Sequence, residues 1–328
     1  MADNEAYLDV LNHVAGARAS GLKTNDNAVS LMLDVSGMSA ADRDRLEQEI
    51  KAALTDAGAG AVRVMMTAER AAPVVIERRL IAVASGKGGV GKSTLSANMA
   101  VAMARAGRSV GLVDADIYGP SQPRLLGDED TKPESEAQKM FPVRGAGDVP
   151  FLSMGQLVKP GQAVAWRGPM AGNALSQLVD AHWGEVRDII VDLPPGTGDI
   201  QLSMIQKHKP VGAVIISTPQ DLALIDAMRA ISFFEIAKVP IIGLVENMAG
   251  YLCPHCGEMS EPFGSGGAEA AAKELGIPFL GRIPLDIAIR TASDAGEPPA
   301  LGDGPIAKAY AAIASKVSDW VDNQKAVA

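Results

Sequence analysis

The 328-residue sequence contains only two cysteines, Cys253 and Cys256, so a framework of disulfide bonds is excluded. It also has no run of about 18 uncharged apolar residues, which a membrane-spanning helix requires. The first residues, Met-Ala-Asp-Asn-Glu, lack the basic and apolar regions of a signal peptide. From these absences we expect a soluble, cytoplasmic protein that has no membrane partner.

Positive charge is also scarce, because 30 lysines and arginines stand against 39 aspartates and glutamates, which gives a net charge of −9. Nonspecific binding of nucleic acid needs clustered basic residues that neutralise phosphates. The composition therefore predicts that nucleic acid is not a partner. Hydrophobic residues make up 47% of the chain, and its length suits two folded domains of about 150 residues each.

The residue pattern changes near position 70. Residues 1–70 predict a small α/β domain, and residues 71–79, which include Pro73, predict a linker. In the small domain we expect helices at 9–19 and 43–54 and strands at 29–35 and 61–66. Residues 80–328 alternate apolar strand-like runs with helical segments, which predicts an α/β domain with a doubly wound, mostly parallel sheet.

The strand-like runs of the larger domain are apolar without alternation, as in strands that are buried on both faces. We expect these strands at 80–84, 109–113, 186–191, 211–217 and 241–245, and helices at 91–106, 169–182, 221–237 and 266–275. Residues 127–148 are polar and rich in Gly, Pro and Glu, which predicts a mobile loop. An apolar stripe over residues 306–321 predicts a helix that packs on the sheet, and contact with a membrane surface is the disfavoured alternative.

Residues 86–94 read G-K-G-G-V-G-K-S-T and match the G-x-x-x-x-G-K-[ST] frame of a nucleotide phosphate loop. Glycines in such a loop bring backbone N–H groups to phosphate oxygens. We expect the nucleotide-binding residues to be Gly86, Lys87, Gly88, Gly89, Val90, Gly91, Lys92, Ser93 and Thr94. Lys92 should reach the β- and γ-phosphates, and Ser93 should bind Mg²⁺. Lys87 is additional to the frame and begins on the rim of the loop.

Acidic residues end two of the predicted strands. Asp114 and Asp116 are two residues apart, so in an extended segment both would face the bound phosphates. Carboxylates there suit Mg²⁺ binding and the orientation of a water molecule, whereas two solvated turn aspartates are the alternative. Asp192 fits a Walker B carboxylate that holds the water shell of Mg²⁺. In the Pro-Pro-Gly turn that follows, the Gly196 N–H is expected to sense the γ-phosphate as part of a switch.

Two further residues follow predicted strands near the expected nucleotide. The Asn247 side chain offers both a donor and an acceptor, so it suits the adenine edge, and helix capping is the competing role. Pro284 ends another apolar run, and we expect it to line the base pocket.

Cys253 and Cys256 form a C-x-x-C pair, a spacing that serves zinc sites, thiol redox sites and iron–sulfur clusters. A redox pair should begin a helix, which Gly257 and the Glu-Pro-Phe-Gly segment at 261–264 disfavour. Zinc or a four-iron cluster normally takes four ligands, and one chain provides two cysteines. A twofold-symmetric homodimer would supply all four thiolates.

Together these segments resemble the Mrp/ApbC family of iron–sulfur cluster carrier ATPases, which have a deviant Walker A loop and are related to MinD and the nitrogenase iron protein. The resemblance covers about residues 80–300. It rests on the phosphate loop and on D-A-D-I-Y-G-P-S at 114–121, W-R-G-P-M at 166–170, D-L-P-P-G-T-G-D-I-Q at 192–201 and E-N-M-A-G-Y-L-C-P-H-C-G at 246–257.

The resemblance implies a homodimer that binds and slowly hydrolyses ATP, with Lys87, Lys92 and Asp116 as catalytic residues. Lys87 would cross the dimer interface to the partner's nucleotide, and Asp116 would orient water with support from Asp114. A [4Fe–4S] cluster would be bridged by Cys253 and Cys256 of both chains and delivered to apo iron–sulfur proteins, in company with assembly factors.

Residues 1–70 occupy the place of the small assembly domain often fused to such carriers. They lack its Asp-Pro-Glu segment and its Thr-x-x-Cys motif, so we expect a degenerate domain with a docking or regulatory role. Two alternatives to a cluster carrier follow from the same residues. One is a MinD- or ParA-like organiser that binds membrane or DNA, and the other is an ATPase with a structural zinc ion bridging the dimer.

Overall fold

A computed structural model describes residues 2–25, 28–68, 76–137, 139–157, 168–253 and 255–324. The chain divides into two compact units, Met1–Val75 and Ile76–Ala328. Several parts of the sequence-based predictions lie outside the described residues. They are residues 1, 26–27 and 69–70 of the predicted first domain, 71–75 of the linker, 138 of the loop at 127–148, 166–167 of the W-R-G-P-M segment, 254 of the segment at 246–257, and 325–328 at the end of the second domain.

The first unit is a small sheet with helices packed against one face. Its elements are α1 (Ala2–Val14), β1 (Ala19–Asn25), β2 (Ala28–Asp34), α2 (Ala40–Asp56) and β3 (Ala61–Thr67). Strand β2 is central, antiparallel to β1 and parallel to β3. Because side chains alternate across a strand, Leu31 and Leu33 of β2 face the helices and pack with Ile50 and Leu54 of α2.

Three of the four elements predicted for this unit are confirmed to within three residues. The helix predicted at 9–19 is wrong in its position, because it covers Ala2–Val14, and residue 19 begins a strand that was not predicted. The pairing of β1 with β2 is irregular between Ser20 and Lys23, so β1 carries no regular alternation that a sequence pattern would reveal.

The second unit contains the elements that carry the candidate site. Its strands are β4 (Arg79–Ala84), β5 (Val110–Asp114), β6 (Ser135–Glu136), β7 (Lys139–Met140), β8 (Val143–Arg144), β9 (Pro150–Ser153), β10 (Asp188–Asp192), β11 (Gly212–Ser217), β12 (Ile241–Glu246), β13 (Tyr251–Leu252), β14 (Met259–Ser260) and β15 (Phe279–Arg282). Its helices are α3 (Lys92–Arg105), α4 (Gln122–Leu125), α5 (Gly168–Val179), α6 (Asp199–His208), α7 (Asp221–Ile236), α8 (Gly267–Leu275), α9 (Ile287–Asp294) and α10 (Pro305–Gln324).

The predicted doubly wound sheet is confirmed. Within the described ranges, eight strands form one sheet in the order β15-β12-β11-β4-β10-β5-β9-β8, and only the edge strand β8 is antiparallel to its neighbour. Hydrophobic residues of α5, α6, α7 and α8 fill one face of the sheet, and those of α3 and α10 fill the other. The apolar stripe near the C-terminus is thus confirmed as a packing surface, with Tyr310 and Val317 fully buried.

The loop predicted at 127–148 is wrong in part, because it contains the β6–β7 hairpin and the edge strand β8. Strand β9 and helices α6 and α9 were not predicted either. The four residues of β9 are too short for a periodic signal, and α6 follows directly on the Pro-Pro-Gly turn. None of the described helices combines the length and apolar character needed to span a bilayer.

An ion-pair network holds the end of the sheet that lies away from the phosphate loop. Asp188, at the start of β10, is buried and accepts hydrogen bonds from Arg79 (2.6 Å) and Arg108 (3.1 and 2.8 Å). Both arginines also pair with Asp322 of α10, at 2.9 and 2.8 Å. The last helix is therefore attached to the central strand β4, whose other end leads into the phosphate loop.

Candidate nucleotide site and cysteine hairpin

The phosphate loop connects the central strand β4 to helix α3, so its position is fixed by a strand in the middle of the sheet. Gly89 and Gly91 have φ values of 79° and 87°, which L-residues with side chains rarely adopt. A Cβ atom at Gly86 would overlap the backbone carbonyl of Asp226 on α7. The glycines are therefore needed both for the turn and for the close approach of α7.

The two loop lysines lie in different environments. Lys87 is exposed on the rim, together with Gly88 and Gly89. Lys92 is only 6% exposed, and its Nζ donates to Oδ1 of Asp192 at 2.6 Å and lies 3.3 Å from Oγ of Ser93. That Lys92 reaches the β- and γ-phosphates stays a prediction, and the sequence gave no indication that a buried carboxylate is its partner.

Asp192 is completely buried at the end of β10 and accepts three side-chain hydrogen bonds. Oδ1 also accepts from the Ser96 hydroxyl at 3.0 Å, and Oδ2 accepts from Nε2 of Gln122 at 2.9 Å. Strand β10 lies next to β4, which brings this carboxylate beside the phosphate loop. The Asp192 carboxylate and the Ser93 hydroxyl both contact Nζ of Lys92, and they are the hard oxygen donors that Mg²⁺ prefers.

Asp114 and Asp116 are 0% and 8% exposed, so the alternative of two solvated turn aspartates is wrong. Oδ2 of Asp114 accepts from the N–H groups of Ser121 and Gln122 and from the Ser153 hydroxyl, at 2.9, 3.0 and 2.9 Å. Burial, together with the negative charge of Asp192, raises the pKa of Asp114 to about 7. Asp114 thus braces the segment that follows β5.

Asp116 lies just beyond β5 and is held in a tight turn. Its Oδ1 accepts hydrogen bonds from the N–H groups of Tyr118 and Gly119, both at 3.1 Å. Its own N–H donates to Oδ1 of Asp114 at 3.2 Å. The two carboxylates therefore lie at one edge of the sheet, and the orientation of Asp116 is set by backbone groups.

The Pro-Pro-Gly turn after Asp192 contacts the beginning of the phosphate loop. The Gly196 N–H, which the sequence assigns to sensing of the γ-phosphate, donates to the Ser85 carbonyl at 2.9 Å. Gln201 braces the turn, since its Nε2 donates to the Pro194 and Gly196 carbonyls at 2.6 and 3.0 Å. The turn is therefore attached to the residue that immediately precedes Gly86.

Asn247 connects the end of β12 to the phosphate loop, because its Nδ2 donates to the Val90 carbonyl at 2.8 Å. No helix begins at this residue within the described chain, so the capping alternative is wrong. Pro284 is half-buried just after the neighbouring strand β15. Both residues lie at the edge of the sheet where the phosphate loop is found, and contact with a base stays a prediction.

The cysteine pair lies in a short hairpin that begins four residues after Asn247. Strands β13 and β14 pair at Tyr251–Ser260 and Leu252–Met259, and the Gly257 N–H donates to the Cys253 carbonyl at 2.9 Å. Cys253 is half-buried and Cys256 is exposed. The turn leads into a strand and not into a helix, unlike the helix start that we expect for a redox pair.

Backbone groups of the hairpin favour the thiolate form of one cysteine. Hydrogen bonds from the N–H groups of Cys256 and His255 lower the pKa of the Cys253 thiol. The thiolate is the form that binds metals. In the part of the chain that the structure describes, no three His, Cys, Asp or Glu side chains are grouped as a metal site.

Most of the chain, including the phosphate loop and the cysteine hairpin, matches a known family. The family described as "ParA: NUBPL iron-transfer P-loop NTPase" matches residues 77–318, which is most of the chain. The chain belongs to this family. A member from Methanocaldococcus jannaschii, named iron–sulfur cluster carrier protein, is 42% identical over 248 residues, which cover 75% of this chain and 86% of the relative.

Solved structures of similar proteins agree with the fold. A nucleotide-binding protein from Archaeoglobus fulgidus, solved in complex with ADP, is 41% identical and superposes with a TM-score of 0.59 over 67% of this chain and 86% of its own. The cell division ATPase MinD from Pyrococcus furiosus is 25% identical, with a TM-score of 0.57 over 74% of this chain and 98% of its own. The resemblance to the Mrp/ApbC carriers and to MinD is thereby confirmed.

Four residues that contact the site were not predicted from the sequence, namely Ser96, Gln122, Ser153 and Gln201. Gln122 begins α4, one residue after the segment 114–121, and its side chain contacts both the phosphate loop and Asp192. A glutamine directly after a phosphate-facing acidic segment is the signal that would have found it, although a short polar segment gives it no periodic pattern.

Proposed function

We propose that the protein is an ATP-dependent iron–sulfur cluster carrier that works as a homodimer in the cytoplasm. Each subunit binds ATP and Mg²⁺ at residues 86–94, and Cys253 and Cys256 of two subunits hold a [4Fe–4S] cluster as cargo for apo iron–sulfur proteins. The names of its relatives support this function. The observation that carries it is the hydrogen bond from Asn247 to Val90, because it links the phosphate loop to the segment that leads into the cysteine hairpin.

Hydrolysis in this proposal begins with an exchange of partners by Lys92. The lysine is paired with Asp192 at 2.6 Å, and nucleotide phosphates offer it a second anionic partner. When Lys92 turns to the phosphates, Asp192 keeps its hydrogen bonds from Ser96 and Gln122 but loses its cation. The Ser93 hydroxyl and Asp192 suit Mg²⁺, which when bound supplies positive charge for phosphoryl transfer. Binding of nucleotide and of metal is therefore coupled through Asp192.

Asp116 orients the attacking water in this proposal. Its carboxylate is held by two backbone N–H groups, so that it offers an acceptor in a fixed position. Lys87 is exposed on the rim of the loop, which supports its assignment to the partner's nucleotide. Both assignments are consistent with phosphoryl transfer, which depends on positioning and on charge stabilisation.

The Gly196 turn and Asn247 connect the nucleotide to the rest of the protein. Gly196 donates to Ser85 at the start of the loop, and Asn247 donates to Val90 in its second half. A change in the loop on hydrolysis would therefore reach both the turn after β10 and the segment before Cys253. This gives nucleotide state a direct route to the geometry of the cluster ligands.

The residues 1–70 are assigned a docking or regulatory role in this proposal. They contain no cysteine, so the cluster ligands all come from the second unit. Removal of residues 1–70 is expected to leave cluster binding by the second unit intact.

Anaerobic reconstitution followed by iron counting tests the carrier function. The wild-type dimer should bind about four irons, as one [4Fe–4S] cluster does. Cys253→Ser should lose the cluster, whereas His255→Ala, which alters the exposed residue between the cysteines, should retain it. A Cys253→Ser protein that kept a full cluster and still activated an apo-acceptor would contradict the proposal.

A zinc ion between the subunits is the second candidate for the cysteine pair, because two thiolates from each of two chains also suit tetrahedral zinc. Metal analysis of anaerobically purified protein separates the two. Zinc in place of iron, in protein that still hydrolyses ATP, would identify an ATPase with a structural metal.

A further inference from the structure

Gln122 is the buried side chain that connects the phosphate loop to the Walker B carboxylate. It is 0% exposed, and its Nε2 donates to the Ser93 carbonyl at 3.0 Å and to Oδ2 of Asp192 at 2.9 Å. Its backbone N–H donates to Oδ2 of Asp114 at 3.0 Å. One residue thus contacts the expected magnesium ligand, the expected magnesium carboxylate and the supporting aspartate.

The orientation of this side-chain amide is determined by its neighbours. The Ser93 carbonyl and the Asp192 carboxylate are both acceptors, so only the NH₂ group of the glutamine can face them. Oε1 must then point elsewhere. Within the described residues, this buried oxygen has no hydrogen-bond partner.

A buried acceptor without a partner is unfavourable, and native proteins contain few of them. Such a group is explained when a ligand supplies the missing donor. A hydrated Mg²⁺ brings water molecules, which are donors, and the ion is expected at Ser93 and Asp192, the two residues that the same amide contacts.

We propose that Gln122 is a positioning residue of the magnesium–nucleotide site. Its Nε2 holds Asp192 and the backbone of Ser93 in a fixed relation, and its Oε1 accepts a hydrogen bond from the water shell of the ion. Partners of this kind orient metal ligands and tune metal affinity. The inference rests on the proposed binding of nucleotide with Mg²⁺ and is independent of the cluster.

The test compares ADP binding with Mg²⁺ and ADP binding in EDTA, by titration calorimetry. Gln122→Met keeps the length of the side chain and removes its donor and its acceptor. We expect this change to weaken binding of Mg-ADP roughly tenfold and to change binding of metal-free ADP by no more than about twofold. A residue that only filled space or braced the fold would weaken both forms by the same factor.

Gln122→Glu provides the second arm. It keeps an acceptor at this position but exchanges the Nε2 donor for a negative charge beside Asp192. Bound Mg²⁺ offsets this added charge and metal-free ADP does not, so the change should increase the preference for Mg-ADP over metal-free ADP even if it weakens binding of both. The two variants are therefore expected to move the magnesium preference in opposite directions. This arm also decides the matter if Gln122→Met does not fold, because an unchanged or reduced preference in Gln122→Glu would overturn the inference.

Ser293→Ala is the matched control, since the Ser293 hydroxyl is the other buried side-chain atom without a partner in the described chain. It should change neither affinity by more than about twofold. Equal effects of Gln122→Met on both forms of ADP, or no effect on either, would overturn the role of Gln122 alone. Wild-type protein that bound neither form would overturn the nucleotide site as well.

Discussion

Lys92→Met tests the buried ion pair on which the nucleotide site depends. The lysine and aspartate side chains are 7% and 0% exposed, and their charged atoms lie 2.6 Å apart. The substitution keeps the apolar part of the side chain and removes the charge, which leaves Asp192 buried without its cation. Loss of one partner of a buried pair costs about 3–5 kcal/mol, since the remaining charge is no longer compensated.

In a unit of this size, each kcal/mol lowers the melting temperature by about 2–4 °C, so we expect nucleotide-free Lys92→Met to melt about 6–20 °C below the wild type. Differential scanning fluorimetry without nucleotide measures this difference.

Lys87→Met is the matched control, because it makes the same change at the exposed lysine of the same loop. We expect it to change the free energy of unfolding by no more than about 0.5 kcal/mol, while it still impairs hydrolysis if Lys87 acts on the partner's nucleotide. The double variant Lys92→Met/Asp192→Asn removes both charges and should recover most of the lost stability. The reasoning is refuted if Lys92→Met melts within about 2 °C of the wild type at pH 8.

Two further predictions concern Asp114 and Gly86. The pKa of Asp114 is raised to about 7, above that of an unfolded aspartate, so the folded state binds the proton more tightly and loses stability as pH rises from about 4 to about 7. The free energy of unfolding of Asp114→Asn should therefore rise relative to that of the wild type over this range, by on the order of 4 kcal/mol. Urea unfolding at a series of pH values measures this difference. A difference that does not change with pH would contradict the assignment. Gly86→Ala should lower both stability, by about 1–3 kcal/mol, and ADP affinity, because its Cβ would overlap the Asp226 carbonyl. Gly88→Ala is the control, because its Cβ would lie at an ordinary contact distance of 3.8 Å from Pro195 and should leave stability unchanged. Equal melting temperatures for the two variants would contradict the prediction, because they would mean that α7 shifts without loss of stability.

The sequence predicts those parts of the molecule that have a periodic pattern or a fixed motif. The strands β4, β5, β10, β11 and β12 are continuous apolar runs, and their buried positions follow from that pattern. The phosphate loop is found by its spacing alone. Because parallel strands end at one edge, Asp114, Asp192 and Asn247 could also be placed near the loop before their contacts were known.

The contacts themselves depend on tertiary packing and are not encoded in local patterns. That Lys92 pairs with Asp192 follows from the adjacency of β4 and β10, which are about a hundred residues apart in sequence. Gln122 enters the site through a single turn of helix that has no periodicity. The Gly196 N–H is predicted for a phosphate, and only the structure shows that the Ser85 carbonyl accepts it.

The central position of β4 has a consequence for how the protein is made. The phosphate loop follows β4, but β4 is held in the sheet by β10 and β11, which are synthesised more than a hundred residues later. On the ribosome, the loop therefore has no scaffold until Ser217 has emerged, whereas the first unit has all its strands within residues 19–67. We therefore expect the strands of the first unit to be complete in the nascent chain well before the chain is able to bind nucleotide.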